Sequence, residues 1–180
     1  MTVLSVNVNK IALLRNSRGR DLPSVIDFSK RVIGLGVKGI TVHPRPDERH
    51  VTRRDIRELT SFLADYPGVE FNIEGYPSED FMELVLNAKP DQCTLVPDSP
   101  EQSTSDHGWD LAADGERLKP IIDELQGLGI RVSLFLDPVI EGVDRAAAIG
   151  ADRIELYTEP YASAFAAGSV DEVLPGFAAA

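Results

Sequence analysis

One cysteine and three histidines leave this 180-residue chain with almost none of the residues that build disulfide frameworks or metal sites. Cys93 alone excludes an internal disulfide and any cysteine-built zinc site, and its place in the apolar run QCTLV predicts a buried packing role. The histidines stand at 43, 50 and 107 with no His-x-x-x-His pair among them, so no metal is expected. Basic residues are scarce as well: 18 Lys plus Arg against 29 Asp plus Glu give a net charge of −11 and a pI near 4.7. That balance excludes a broad electrostatic grip on nucleic acid or on an anionic membrane surface, so any anion must be met locally. No run approaches the roughly 18 to 20 apolar residues that span a bilayer. The N-terminus MTVLSVNVNK has no basic region followed by a hydrophobic core, and we therefore expect a cytoplasmic protein. A P-loop and a G-x-S-x-G nucleophile elbow are also missing. With no low-complexity tract, linker or second core, residues 1–180 are expected to form a single domain.

What is present is a regular alternation. Short β-branched runs at 3–8, 39–43, 69–74, 92–96, 131–136 and 153–157 predict strands, several of them announced by a glycine just upstream. Helical patterns at 22–34, 53–65, 78–88, 114–127 and 140–149 lie between them, the closing VLPGFAAA falls part-way into a sixth, and Thr52 with Asp55 resembles a capping box at the start of the second. The steps average roughly 30 residues, the length of one βα unit, and strict alternation implies a parallel sheet in an α/β protein. A dinucleotide-binding sheet should carry G-x-G-x-x-G after its first strand, but the first strand runs into NVNKIALLRNSRG. Polar residues instead collect at successive strand ends: Asn7, His43, Glu74, Thr94, Asp137 and Glu155. That is where TIM (β/α)8 barrels place their active sites, and we favour the barrel. About six βα units are present, whereas eight usually need about 250 residues, so the last two units are expected to be absent from this sequence.

The densest chemical cluster is HPRPDERH at 43–50. His43 would project from the strand end, with Arg45, Arg49 and His50 following; a guanidinium fork and a protonatable imidazole suit a phosphate. The bland alternative is a solvated loop whose charges pair with Asp47 and Glu48. Glu74 closes the apolar strand VEFNIE, where desolvation would raise its pKa and suit it to acid-base work. Glu155 in RIELY repeats the pattern, so that two carboxylates and His43 could converge on a barrel axis. In the first strand, Asn7 and Asn9 should share one side by the two-residue period, with Lys10 next and Arg15 and Arg18 in the following loop. The loop at 97–111 is long and polar, as lids and binding segments are. Thr104 could donate to a phosphate there, and His107 and Trp109 could anchor the loop. Bottom-up reading stops at a barrel enzyme performing acid-base chemistry on a small phosphorylated substrate.

The motifs VNxxxIAxLRNxRG, GITVHPRPDxRH, NIE and CTLVP, taken in order, resemble those of the pyridoxine 5′-phosphate synthase family over nearly the whole chain. The resemblance implies an eight-stranded α/β barrel assembled as an octamer. It also implies condensation of 3-amino-2-oxopropyl phosphate with 1-deoxy-D-xylulose 5-phosphate through a Schiff base, with no cofactor or metal. By resemblance, His43 and Glu74 are proton acceptors and Glu155 stabilises the transition state. Arg45, His50 and Thr104 would hold deoxyxylulose phosphate, and Asn7 and Arg18 would contact the aminoketone phosphate. Asn9 and Lys10 stand where the family often has Asp-His and are carried over as substrate binders. The family's Gly-His-Gly proton donor belongs to the units expected to be absent. Two alternatives stay open: a lysine-dependent aldolase-like barrel using Lys10, and a non-catalytic phosphate-binding barrel.

Overall fold

The fold is described from a computed structural model covering residues 2–17, 19–98, 102 and 105–180. Its strands and helices alternate, and the strands follow one another in the sheet in chain order. The chain is α/β, a partial TIM (β/α)8 barrel. It divides into two compact units, residues 1–93 and 94–180.

In the first unit, β1 (Ser5–Asn7), α1 (Asn9–Asn16), α2 (Val25–Gly34), β2 (Gly39–Val42), α3 (Arg53–Leu63), β3 (Glu70–Gly75) and α4 (Glu79–Ala88) follow in order, and β4 (Gln92–Leu95) begins at its end. Strand β2 pairs in parallel with β1 and β3, with Asn7 level with Thr41 and Thr41 level with Asn72. The two-residue period sorts the side chains. Ile40, Val42, Phe71 and Ile73 are buried apolar residues on one parity, and Thr41, His43, Asn72 and Glu74 take the other. Helix α3 buries Ile56, Leu59 and Leu63 at helical spacing, and full burial of such side chains is worth about 2 kcal/mol each. Its start is the capping box the sequence predicts: Asp55 N–H donates to Thr52 Oγ1 at 3.2 Å, and Thr52 N–H donates to Asp55 Oδ2 at 2.8 Å.

The second unit holds the end of β4, then α5 (Leu111–Gly127), β5 (Arg131–Leu136), α6 (Ile140–Ala148), β6 (Arg153–Leu156), α7 (Glu159–Ala167) and α8 (Val170–Ala179). Strand β5 pairs in parallel with β6, placing Phe135 level with Glu155. Val132, Leu134 and Leu136 alternate with Ser133 and Phe135, and α5 buries Leu118, Ile122 and Leu125. A common device ties strand starts in both units. The aspartate just before the next strand accepts a backbone N–H of its neighbour, Asp91 from Phe71 at 2.7 Å and Asp152 from Val132 at 2.8 Å.

Three local expectations are corrected. The segment after β1 is a helix rather than a loop. Asn7 Oδ1 accepts the Asn9 N–H at 2.9 Å and turns the chain at once, so Asn9 and Lys10 open α1 and do not share a strand side with Asn7. Helix α5 starts at Leu111 rather than 114, because the Asp110 carboxylate accepts the N–H groups of Ala112 and Ala113. After β6 the chain forms two helices rather than one; Gly168, at φ 75°, ends α7 in the left-handed region.

Candidate active site

The site of the first unit grows from the register of β2 and β3. One step beyond the Val42–Ile73 pair, His43 and Glu74 stand side by side on the polar parity, with His43 Nδ1 3.9 Å from Glu74 Oε2. Each side chain is about one-eighth exposed. The backbone of His43 is held by Asn9, whose Oδ1 accepts its N–H at 2.9 Å. Asn72 Nδ2 reaches Thr41 Oγ1 at 3.4 Å and Glu74 Oε1 at 3.5 Å, so a line of polar side chains runs under the pair. Gly75 follows because a Cβ there would collide with the Phe81 ring that closes the start of α4.

Burial depresses the His43 pKa to about 3, and the charges of Arg45, His50 and Arg49 push the same way. The pair at neutral pH is therefore a neutral imidazole beside a carboxyl group, rather than an ion pair. A neutral imidazole can accept a proton. Cys93 is a free, buried cysteine whose thiol is pushed up by burial and by the charge of Glu74.

Beyond His43 lies the basic loop. Arg45 is buried at 6% exposure, and the His50 pKa is lowered by burial and then by Arg49, Arg45 and Lys10. His50 Nδ1 is buried without a hydrogen-bond partner, an unmet polar group on the loop the sequence assigns to an anion. The charge pairing expected of a solvated loop exists in part, since Arg49 Nε lies 2.9 Å from Asp47 Oδ2. Glu48 takes another role: at φ 51° it is left-handed, and its Oε1 accepts the Arg53 N–H at 2.7 Å at the start of α3.

The first unit thus brings together His43, Glu74, Asn9, Arg45 and His50, with Lys10 close enough to act on the His50 charge. Lys10 itself is exposed on the first turn of α1, whereas a Schiff-base lysine needs a desolvated amine. Asn7 ends β1. Arg18 and Thr104 lie outside the described residues. Glu155 sits half-buried in β6 of the second unit, and burial raises its pKa above the usual carboxylate value. There the end of the 97–111 loop is anchored. Trp109 N–H donates to Phe135 O and Trp109 Nε1 to Leu95 O, both at 2.9 Å, and Gly108 N–H reaches Asp137 Oδ2 at 3.2 Å. Gly108 is required, since a Cβ would strike the backbone of Leu136 and Asp137. His107 is exposed and pairs with Asp106 instead.

Sequence reading missed Thr41, Asn72 and Asn16 as supports of the site. The parity of β2 and β3 would have indicated the first two, and Asn16 lies inside the LRNxRG motif. Among the described residues, no three His, Cys, Asp or Glu side chains are grouped to hold a metal ion, and no helix is long and apolar enough to cross a membrane.

Comparison with known proteins places the chain in a family. The sequence model described as pyridoxal phosphate biosynthesis protein PdxJ matches residues 4–180. A protein of Bacteroides fragilis (strain YCH46) named pyridoxine 5′-phosphate synthase is 51% identical over 175 residues, covering 97% of this chain and 72% of that protein. One of the same name from Brucella abortus (strain S19) is 54% identical over 159 residues, 88% of this chain and 65% of that protein. Among solved structures, mandelate oxidase with benzoyl-formic acid superposes with a TM-score of 0.61 at 15% identity, over 97% of this chain and 61% of that one; the likeness shows the fold alone. The matched length and identity together show that the chain belongs to the PdxJ family of pyridoxal phosphate biosynthesis and is an enzyme of the pyridoxine 5′-phosphate synthase type.

Proposed function

We propose that the chain takes part in condensing 3-amino-2-oxopropyl phosphate with 1-deoxy-D-xylulose 5-phosphate to pyridoxine 5′-phosphate, inorganic phosphate and water. The observation that carries this reading is the neutral imidazole of His43 beside Glu74, next to a buried arginine and an unsatisfied His50 nitrogen. The amine attacks the ketone carbonyl, and water leaves to give a Schiff base. Proton transfers, dehydration, loss of inorganic phosphate and ring closure then build the pyridine, with His43 and Glu74 accepting protons and Glu155 stabilising the transition state. Arg45 and His50, with Thr104, hold the deoxyxylulose phosphate; Asn7 and Arg18 take the aminoketone phosphate, and Asn9 and Lys10 add donors. Charge supports this division. Binding a phosphate dianion beside Arg45 and Arg49 offsets the part of the His43 depression that their charges add to burial, raising its basicity when the substrate arrives.

The chain acts on small phosphorylated molecules in the cytoplasm, as one subunit of an octamer and without a resident cofactor. The test is an assay with both phosphates that follows pyridoxine 5′-phosphate by its absorbance. Product formed only when both substrates are present is expected of protein that carries all eight βα units, and no turnover is expected of residues 1–180 alone, since the family's Gly-His-Gly proton donor belongs to the seventh and eighth units. Ligand binding without turnover by intact, correctly assembled protein would favour a phosphate-binding role, and borohydride trapping of substrate on Lys10 would favour the aldolase-like route.

A further inference from the structure

We propose that Asn16 is a positioning residue that holds the anion-binding loop in its working shape, a role that rests on the reading of residues 43–50 as the phosphate-holding loop. Asn16 is the last residue of α1, yet its Nδ2 donates to three successive loop carbonyls: Glu48 O at 3.3 Å, Arg49 O at 3.1 Å and His50 O at 2.7 Å. Its Oδ1 accepts from Arg15 Nε and Nη2, both at 3.0 Å, which orients the amide with its donor toward the loop. Arg15 is in turn anchored on Asp55, with Nη2 2.8 Å from Oδ2, and Asp55 is the capping residue of α3. The chain of contacts runs from the start of α3 through Arg15 and Asn16 into the loop that carries His50.

The loop needs such a brace. Glu48 is held at φ 51°, which costs a residue with a Cβ roughly 1–2 kcal/mol, and the carbonyls at 48–50 all converge on one amide. An amide does this work; an isosteric carboxylate would place a second acceptor against three acceptors. Asn16 is exposed and lines an open cavity of about 550 Å³, so truncating it removes the donor without opening a void in a packed core.

The experiment compares Asn16→Ala and Asn16→Asp with the wild-type protein by steady-state kinetics, thermal melting and titration with inorganic phosphate followed through the imidazole signals of the three histidines. The expected result is a KM for deoxyxylulose phosphate raised roughly three- to tenfold in Asn16→Ala, as for one ordinary hydrogen-bonding group, with Asn16→Asp at least as weak. Turnover at saturation should stay within about threefold of wild type. Phosphate affinity should fall in parallel while the melting temperature hardly moves, and His50 should titrate closer to an ordinary imidazole. Wild-type behaviour of Asn16→Asp beside a weak Asn16→Ala would reduce the residue to a space-filler and overturn the proposal. So would unchanged phosphate affinity in both variants, or a wild-type protein that binds no phosphate. If wild-type protein carrying all eight βα units binds phosphate but makes no product, the synthase reading fails while the variants' phosphate affinities still decide the role of Asn16.

Discussion

His43 Nδ1 lies 3.9 Å from Glu74 Oε2 because β2 and β3 run in register, each residue one step past the paired Val42 and Ile73. Two strand ends thereby deliver an imidazole and a carboxyl group to one place, with Asn9 holding the His43 backbone. The pair is rigid for the same reason that its strands are, since apolar residues of the opposite parity are buried behind it.

If Glu74 moves a proton during catalysis, Glu74→Gln keeps the fold and the Asn72 contact but loses the proton site. Turnover should fall about 10²- to 10⁴-fold with a nearly unchanged melting temperature. Steady-state assays beside a thermal melt check it, and turnover within about threefold of wild type would remove Glu74 from the mechanism.

Acid should destabilise the protein through His43. Its pKa falls from an ordinary 6.5 to about 3 on folding, so between those values the unfolded chain binds the extra proton. Stability is fully present above about pH 6.5, declines as pH falls toward 3 by at most about 1.4 kcal/mol per pH unit from this group, and levels off below. Urea titrations at pH 7, 6 and 5 should show the decline, and His43→Asn should flatten it.

Arg45→Lys tests the phosphate loop. A buried guanidinium fork can engage two phosphate oxygens where an ammonium offers a point charge, so we expect a KM for deoxyxylulose phosphate at least about tenfold higher. An unchanged KM would move the anion elsewhere.

Asp55→Ala should destabilise the fold by about 3 kcal/mol, because it leaves the partly buried Arg15 without its carboxylate partner and removes half of the capping box. Burial pushes the Asp55 carboxyl up, but the hydrogen bonds from Arg15 and Thr52 together outweigh it and hold the group below the usual range. In a double-mutant cycle with Arg15→Met, the double variant should be less unstable than the sum of the singles. Denaturant curves read the difference.

Lys89 ends α4 at φ 48°, exposed and left-handed. Lys89→Gly should stabilise the protein by about 1 kcal/mol, the strain relieved less the added freedom of the unfolded chain. A lower midpoint in urea would mean that the lysine side chain makes a contact worth more than the strain.

The strands, the α3 capping box and the Trp109 anchor were legible because each depends on residues close in sequence: runs of β-branched side chains, Thr52 with Asp55, and an aromatic residue in a polar loop. Helix α1 was not legible. Its turn is made by the Asn7 side chain capturing the Asn9 N–H, and its apolar pattern is weak, with only Ala12 buried. His43, Arg45, His50 and Glu74 could be picked out as candidates from residue type and strand-end position alone.

What the sequence by itself determined was the alternation of elements, the acidic balance that requires any anion to be met locally, and the motifs that carry the family. Tertiary structure decided the rest. Only pairing of β2 with β3 could bring residues 31 positions apart to 3.9 Å, and only burial, with Arg45 adding to it, could keep the imidazole neutral well below its ordinary pKa of 6.5. Only the return of α1 to the 48–50 loop, across more than thirty residues, could show that Asn16 braces it. Distance and desolvation are properties of the folded chain, and no local pattern of residue types encodes either.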